Sequence, residues 1–263
     1  MTASPYKLRV EELTVAFGHG RRARTVLHGV STGVRAGQTL GLVGESGSGK
    51  STIAKAIVGI HPARAGRILL DGVDLTGLRR RELAAVRRRV QLVSQDPYAS
   101  LNPRMTVGQA IAEAIDPVRA DPRKHAAMVE RWLGTVALDG SAADRYPHEF
   151  SGGQRQRIAV ARALAVEPEV LIADEITSAL DASVQAEVLN LLAELRRSLS
   201  LTMLFISHDL AVVRHVSDEV AVLRRGELVE QGLVRDVYQA PQHPYTRRLL
   251  ASVPTFEQKE EAA

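Results

Sequence analysis

The chain has 263 residues, 45% of them hydrophobic, enough for one large core-bearing domain or two small ones. Its 34 basic and 30 acidic residues leave a net charge of only +4, far from the one-signed balance of disordered tails and strong nucleic-acid binders. With no cysteine, disulfides, thiolate metal centres, iron–sulfur clusters and cysteine nucleophiles are excluded, and a reducing compartment fits.

Residues 8–17 and 26–34 are near-alternating runs with β-branched residues on either side of a basic, glycine-containing turn at 18–24, and they predict a hairpin. The apolar run 39–43 is followed at once by Gly44, Gly47 and Gly49 and then, over 52–60, by apolar residues at helical spacing: strand, glycine loop, helix. A strand is expected at 66–71, a basic surface helix at 79–89 and a strand at 90–94. From Pro97 to about Phe150 strand signals stop, and 107–115 and 124–138 carry amphipathic helical patterns. Helix at 154–165, strand at 170–173, helix at 184–199 and strand at 202–206 follow, an alternation that implies parallel βαβ units. Residues 220–230, centred on Arg225-Gly226, predict a late hairpin, and the acidic stretch Glu257–Glu261 a frayed end. Apolar runs such as 203–206 fall far short of the ~20 residues of a membrane span, and Met1–Lys7 lacks the apolar stretch of a secretory signal.

Gly44-Glu45-Ser46-Gly47-Ser48-Gly49-Lys50-Ser51 fits G-x-x-x-x-G-K-[ST] between a strand and a helix, the context this motif requires. Glycines let consecutive amides turn inward around a polyphosphate, and the helix start, with Thr52, adds its positive dipole end. Lys50 would hold the β and γ phosphates, and Ser51 offers a hydroxyl to Mg²⁺, which needs further oxygen ligands. The strand 170–173 ends in Asp174 and Glu175. Ligands gather at the carboxyl ends of parallel strands, where Asp174 can reach the metal through water and Glu175 can polarise an attacking water.

A serine and two glycines ahead of a helix, in Phe150-Ser151-Gly152-Gly153-Gln154, make a second anion-binding helix start, separate from the first. With this stretch shortly before the strand at 170, the chain resembles the ATP-binding subunits of ABC transporters over nearly its full length. The resemblance implies ATP and Mg²⁺, and a signature motif at 150–154 that serves the γ phosphate of a partner subunit, so that ATP is sandwiched between two head-to-tail domains. It implies a Q-loop glutamine at Gln95 touching Mg²⁺ and the water, a switch histidine at His208 that orients Glu175, and a D-loop at 178–181 ending in Asp181. Phe17 falls where an aromatic ring stacks on adenine. Phe150 in place of leucine and Ile176 in place of proline depart from the family pattern.

Ala240-Pro241-Gln242-His243-Pro244-Tyr245-Thr246, followed by 247–253, resembles the hallmark of the oligopeptide, dipeptide and nickel importer branch. Asp96-Pro97 and Ser100-Leu101-Asn102-Pro103 point the same way. The expected architecture is an α/β fold: a RecA-like P-loop ATPase core with an antiparallel β subdomain and an α-helical subdomain. The ATP-binding domain would span 1–235, with its helical part at about 97–160, and residues 236–263 would be the importer-type extension. The expected function is ATP hydrolysis that energises a peptide or nickel importer from the cytoplasmic face of the membrane. The expected partners are transmembrane permease subunits, a second ATP-binding subunit (itself or a paralogue) and, indirectly, an extracytoplasmic solute-binding protein, with no nucleic acid. Soluble ABC ATPases that act on DNA or ribosomes usually carry two modules or a long coiled coil, and neither is visible. The loop 96–102, with the helical insert, is expected to receive a short helix from each membrane subunit, with Leu101 in the desolvated contact.

Overall fold

The computed structural model describes residues 5–18, 20, 23–96, 100–178 and 180–252. Pro97, Ala179, Val253 and the acidic stretch Glu257–Glu261, all used in the sequence reading, lie outside the described residues, as do His19, Arg21 and Arg22 of the basic turn.

Among the described residues two sheets form. Strands β1 (Tyr6–Phe17), β2 (Arg24–Arg35), β4 (Ala65–Leu70) and β5 (Val73–Asp74) make an antiparallel sheet in the order β2-β1-β4-β5. The expected hairpin is β1–β2, and the lapse in its alternation has a cause: the register shifts between Val10 and Leu13, where Glu12 adopts φ 49°. The bulge returns Leu13 and Val15 to the buried face.

Strands β3 (Thr39–Val43), β6 (Val90–Val93), β7 (Val170–Asp174), β8 (Thr202–Ile206), β9 (Glu219–Arg224) and β10 (Glu227–Leu233) make the second sheet. Its order is β10-β9-β3-β8-β7-β6, parallel from β9 to β6 with β10 antiparallel at the edge. Every residue of β3, β7 and β8 is buried, because both faces of these central strands are covered. Leu40, Leu42, Val170, Ile172, Leu204 and Ile206 face a core shared with the antiparallel sheet and helix α1 (Lys50–Ile57). Leu171, Ala173, Met203 and Phe205 point the opposite way, into the larger core under the helices.

Those helices are α3 (Val107–Ile115), α4 (Ala126–Thr135), α5 (Gly152–Leu164) and α6 (Ala182–Leu199); α2 (Arg80–Arg89) precedes β6 as expected. Helix α3 starts with a capping box in which Thr106 and Gln109 exchange hydrogen bonds. Helices α7 (Leu210–Val216), α8 (Val234–Gln239) and α9 (Pro244–Ala251) went unread in the sequence. The first two are too short for a period to emerge. The third opens inside the proline-containing run, with Pro244 in its first turn, where no intrahelical donor is lost. Leu101 corrects another expectation: it is 2% exposed, in the same buried cluster as Trp132 and Phe150, and so belongs to the core rather than to a docking face.

Candidate active site

The register of the parallel sheet brings the predicted chemistry together. Leu42 of β3 and Asp174 of β7 both pair with Ile206 of β8, and Val93 of β6 pairs with Ala173. The chain therefore leaves four neighbouring strands almost level, and Gly44, Gln95, Glu175 and His208 each follow within two residues, at one end of the sheet.

The glycine loop is built as a cradle. Gly44, Gly47 and Gly49 have φ of 153°, 76° and 109°. A Cβ on Gly44 would lie 2.1 Å from the Leu223 carbonyl oxygen and one on Gly49 2.7 Å from Leu27, whereas one on Gly47 would meet nothing within 4 Å. Two glycines are thus required by packing as well as by backbone shape, and the third faces open space. No side chain caps α1, so no side-chain oxygen competes with a ligand for its first amides. Lys50 is buried and folds back on the loop, with Nζ donating to the carbonyl oxygens of Gly44 at 2.8 Å and Glu45 at 3.0 Å. Its charge also faces Glu175 Oε1 at 3.6 Å.

Ser51 Oγ donates to Asp174 Oδ1 at 3.0 Å, joining the loop to the end of β7. Burial pushes the Asp174 carboxyl above its usual range, and the neighbouring Glu175 charge adds to this against the Ser51 hydrogen bond and the cations Lys55 and Lys50. Glu175 has φ 50°, a left-handed turn that swings its side chain off the strand, and its N–H donates to the Ile206 carbonyl at 2.9 Å. Its second carboxylate oxygen lies 3.7 Å from His208 Nδ1. Gln95 donates through Nε2 to Ser178 Oγ at 3.3 Å, and Ser178 Oγ donates to the Glu175 carbonyl at 2.9 Å.

Phe17, Ser46, Gly47, Gly49, Lys50, Ser51, Thr52, Gln95 and Glu175, all predicted from sequence, line one open cleft of about 300 Å³ together with Val26. Phe17 is 40% exposed at the rim of this cleft, its ring in a T-shaped contact with the His61 ring at 4.8 Å. Three participants were missed. Ser178 appeared only within a motif, Lys55 stands one turn beyond Ser51 on α1, and His61 braces Phe17; the four-residue spacing of Ser51 and Lys55 was the one legible signal.

The remaining predicted residues stand elsewhere, at the starts of α5 and α6. Ser151 and Gln154 form a capping box, and Asp181 accepts from the Val184 N–H at 3.0 Å. Ser151 and Gly152 are exposed, while a Cβ on Gly153 would meet Val184 at 2.2 Å, so Gly153 lets α5 and α6 approach. The two departures from the family pattern are structural: Phe150 is buried under Arg145, 4.3 Å from its ring centre, and buried Ile176 anchors the turn after Glu175 in the helical core.

The family model described as "ABC transporter" matches residues 27–178, and that described as "Oligopeptide/dipeptide transporter, C-terminal region" matches 229–263. The oligopeptide transport ATP-binding protein OppF of Bacillus subtilis is 47% identical over 250 residues, 94% of this chain and 82% of that protein. A Brucella abortus protein named for peptide import is 51% identical over 257 residues, 94% of this chain and 76% of that protein. A solved dimeric ATP-binding cassette, in a post-hydrolysis state bound to ADP and Pi, is similar at a TM-score of 0.77 and 27% identity, covering 87% of this chain and 99% of that one. Fold, loop and matches define a P-loop ATPase with a RecA-like core. The chain belongs to the ABC transporter family, as an ATP-binding, ATP-hydrolysing subunit with the oligopeptide/dipeptide-type C-terminal region.

Proposed function

We propose that this chain energises a peptide importer: two ATP-binding subunits, itself twice or with a paralogue, close head to tail around ATP at the cytoplasmic face of the membrane and drive separate permease subunits. The observation that carries this is the gathering of Lys50, Ser51, Asp174, Glu175 and His208 at one sheet end in a chain whose C-terminal region is of the peptide-transporter type. Among the described residues no helix is long and apolar enough to cross a membrane, in keeping with separate permease subunits. Of the two cargo classes expected from the sequence, peptide is favoured over nickel by the names of the relatives.

In this reading Lys50 leaves the Gly44 and Glu45 carbonyls for the β and γ phosphates, with the loop amides and the uncapped start of α1 around them. The Ser51–Asp174 pair fits Mg²⁺: both side chains offer hard oxygen donors, and burial disfavours the charged carboxylate, which a bound cation would offset. Held by these residues, Mg²⁺ would supply charge neutralisation for the phosphates. Glu175 takes a proton from water as the water oxygen bonds to the γ phosphorus and the bond to the ADP oxygen breaks, and His208 holds Glu175 in place. Gln95, tied to the Glu175 turn through Ser178, senses the site. Phe17 offers its exposed ring to adenine. Ser151, Gly152 and Gln154 present the exposed start of α5 to the nucleotide of the other subunit, and Asp181 shapes the start of α6 beside it. The test is reconstitution with the permease subunits and the solute-binding protein in liposomes. ATP-dependent peptide uptake is expected; ATP-dependent Ni²⁺ uptake without peptide uptake, or no stimulation of hydrolysis by either, overturns the cargo assignment.

A further inference from the structure

The C-terminal helix α9 reaches the phosphate loop. The hydroxyl of Tyr245, in its first turn, accepts a hydrogen bond from the backbone N–H of Glu45 at 3.1 Å, across 200 residues of sequence. The carbonyl of Gly44 accepts Lys50 Nζ at 2.8 Å. Gly44 C=O and Glu45 N–H are opposite ends of a single planar peptide group. That peptide is therefore held from one side by the loop's own lysine and from the other by the C-terminal region. It is also the peptide at which the loop leaves β3, after a glycine at φ 153° that no side chain could replace, so local backbone preference does little to fix its orientation.

Tyr245 is itself held firmly. It is 4% exposed, and the Arg224 guanidinium lies over its ring at 5.1 Å. Its N–H donates to His243 Nδ1 at 3.1 Å, while the N–H groups of Gln242 and His243 donate to the Glu230 carboxylate on β10 at 2.7 and 3.0 Å. The start of α9 is thus fastened to the sheet edge, and the hydroxyl has little freedom to follow the loop.

We propose that Tyr245 is a positioning residue for ATP binding: it fixes the Gly44–Glu45 peptide so that the cradle keeps its shape when Lys50 releases the loop carbonyls for nucleotide phosphates. This rests on the reading that loop 44–51 holds those phosphates. Before nucleotide arrives, Lys50 and Tyr245 restrain the peptide together. Once the lysine has turned away, the tyrosine is the side-chain restraint that does not depend on it. The C-terminal region thereby acts on the ATP site from its own side of the molecule. Because the restraint acts on the loop before and during chemistry alike, its loss belongs in KM for ATP rather than in kcat.

Tyr245→Phe keeps the ring, its burial and the Arg224 contact and removes only the hydroxyl; Tyr245→Leu also removes the ring. In the isolated subunit, Tyr245→Phe is expected to weaken ATP and ADP binding about three- to tenfold in fluorescence titration, the fold-change of one ordinary hydrogen bond. Hydrogen exchange of peptides covering 44–51 in the nucleotide-free protein should quicken, Tm should stay close to wild type, and KM for ATP should rise with kcat little changed. Wild-type affinity and loop exchange in Tyr245→Phe overturn the proposal. So does a loss of affinity that follows Tm across the Phe and Leu variants, which marks a packing role. Lys50→Ala separates the two readings: if it weakens nucleotide binding and Tyr245→Phe does not, the positioning role alone falls, whereas if Lys50→Ala binds as wild type the phosphate-loop reading falls and the positioning role with it.

Discussion

Lys50 and Glu175 face each other with 3.6 Å between ammonium nitrogen and carboxylate oxygen, while His208 Nδ1 stands 3.7 Å from the other oxygen of the same carboxylate. Each oxygen of the proposed base thus has its own cationic or imidazole neighbour, one from the start of α1 and the other from just past β8. On the proposed mechanism, Lys50 must turn toward the phosphates for nucleotide to bind, which frees one oxygen of Glu175 for water. Nucleotide binding and exposure of the base are then a single event, and without ATP the base is occupied by the lysine.

Glu175→Gln is expected to retain ATP binding and lose at least about 10²-fold in turnover, the usual contribution of a positioned general base. The amide keeps the size of the carboxylate but gives up the charge that holds Lys50, so affinity for ATP should hold or improve. Phosphate release and fluorescence titration check both halves. Turnover within about threefold of wild type would remove Glu175 from the role of base.

Asp174→Asn should stabilise the protein while abolishing turnover. Burial raises the Asp174 pKa above its ordinary value of 3.8, so the folded state disfavours the charged form. By linkage, the destabilising contribution is present where pH exceeds the folded pKa and disappears below the unfolded value of 3.8. Asparagine keeps an oxygen for the Ser51 hydroxyl and carries no charge. Tm at pH 7 should rise, and the gain should shrink as pH falls toward the unfolded value of 3.8. A lower Tm at pH 7 would mean that the carboxylate is held by its partners more strongly than burial opposes it.

Much of the site was legible because its signals are local. The loop 44–51 carries its spacing and its helix in one stretch, and the fully buried, mostly apolar strands 39–43 and 202–206 have the bounds that the sequence predicts. What remained hidden depends on tertiary proximity. Ser178 is ordinary until the sheet brings Gln95 beside it, and Tyr245 is one residue of a proline-containing run until α9 packs against the loop. Leu101 misled for the same reason. A leucine in a loop between polar residues reads as one that a partner must cover, and only the position of Trp132 and Phe150 in the same cluster makes it core. A charge there would cost folding before it could report on docking.

The two signature positions should separate on substitution. Gly153→Asp puts a side chain where a Cβ already meets Val184 at 2.2 Å, so it is expected to part α5 from α6 and lower Tm. Ser151 is exposed, and Ser151→Arg loses one helix cap, about 1 kcal/mol, while blocking the surface proposed to meet the partner's nucleotide. Ser151→Arg should keep nucleotide affinity in the isolated subunit and lose hydrolysis, and mixing it with Lys50→Ala should restore part of the activity, since a mixed pair holds one undamaged composite site. Loss of affinity in isolated Ser151→Arg as severe as in Lys50→Ala would put the motif in its own chain's site.

The last prediction concerns the opposite end of the sheet, where Glu169 precedes β7. It pairs with Arg89, at the end of α2, and with Lys7 of β1, and both cations also reach Asp71, so the parallel sheet is tied to the antiparallel one. The Arg89 hydrogen bonds, helped by Lys7 and opposed by burial, lower the Glu169 carboxyl from 4.5 to about 2. A depressed carboxylate pKa contributes stability that is present above the unfolded value and is lost as pH falls through the folded one, here between 4.5 and about 2. Glu169→Gln should therefore lower Tm at pH 7, by about 2–4 °C because solvent screens a side chain that is a third exposed. The deficit should be constant from neutral pH down to about 5 and narrow below it, while ATP turnover per folded molecule stays at the wild-type value. Glu167→Gln, which breaks the exposed Arg131–Glu167 pair a few residues away, should leave Tm nearly unchanged. Equal Tm losses for the two variants, or a Glu169→Gln deficit that grows on acidification, would show that the cluster adds no more than an ordinary surface pair.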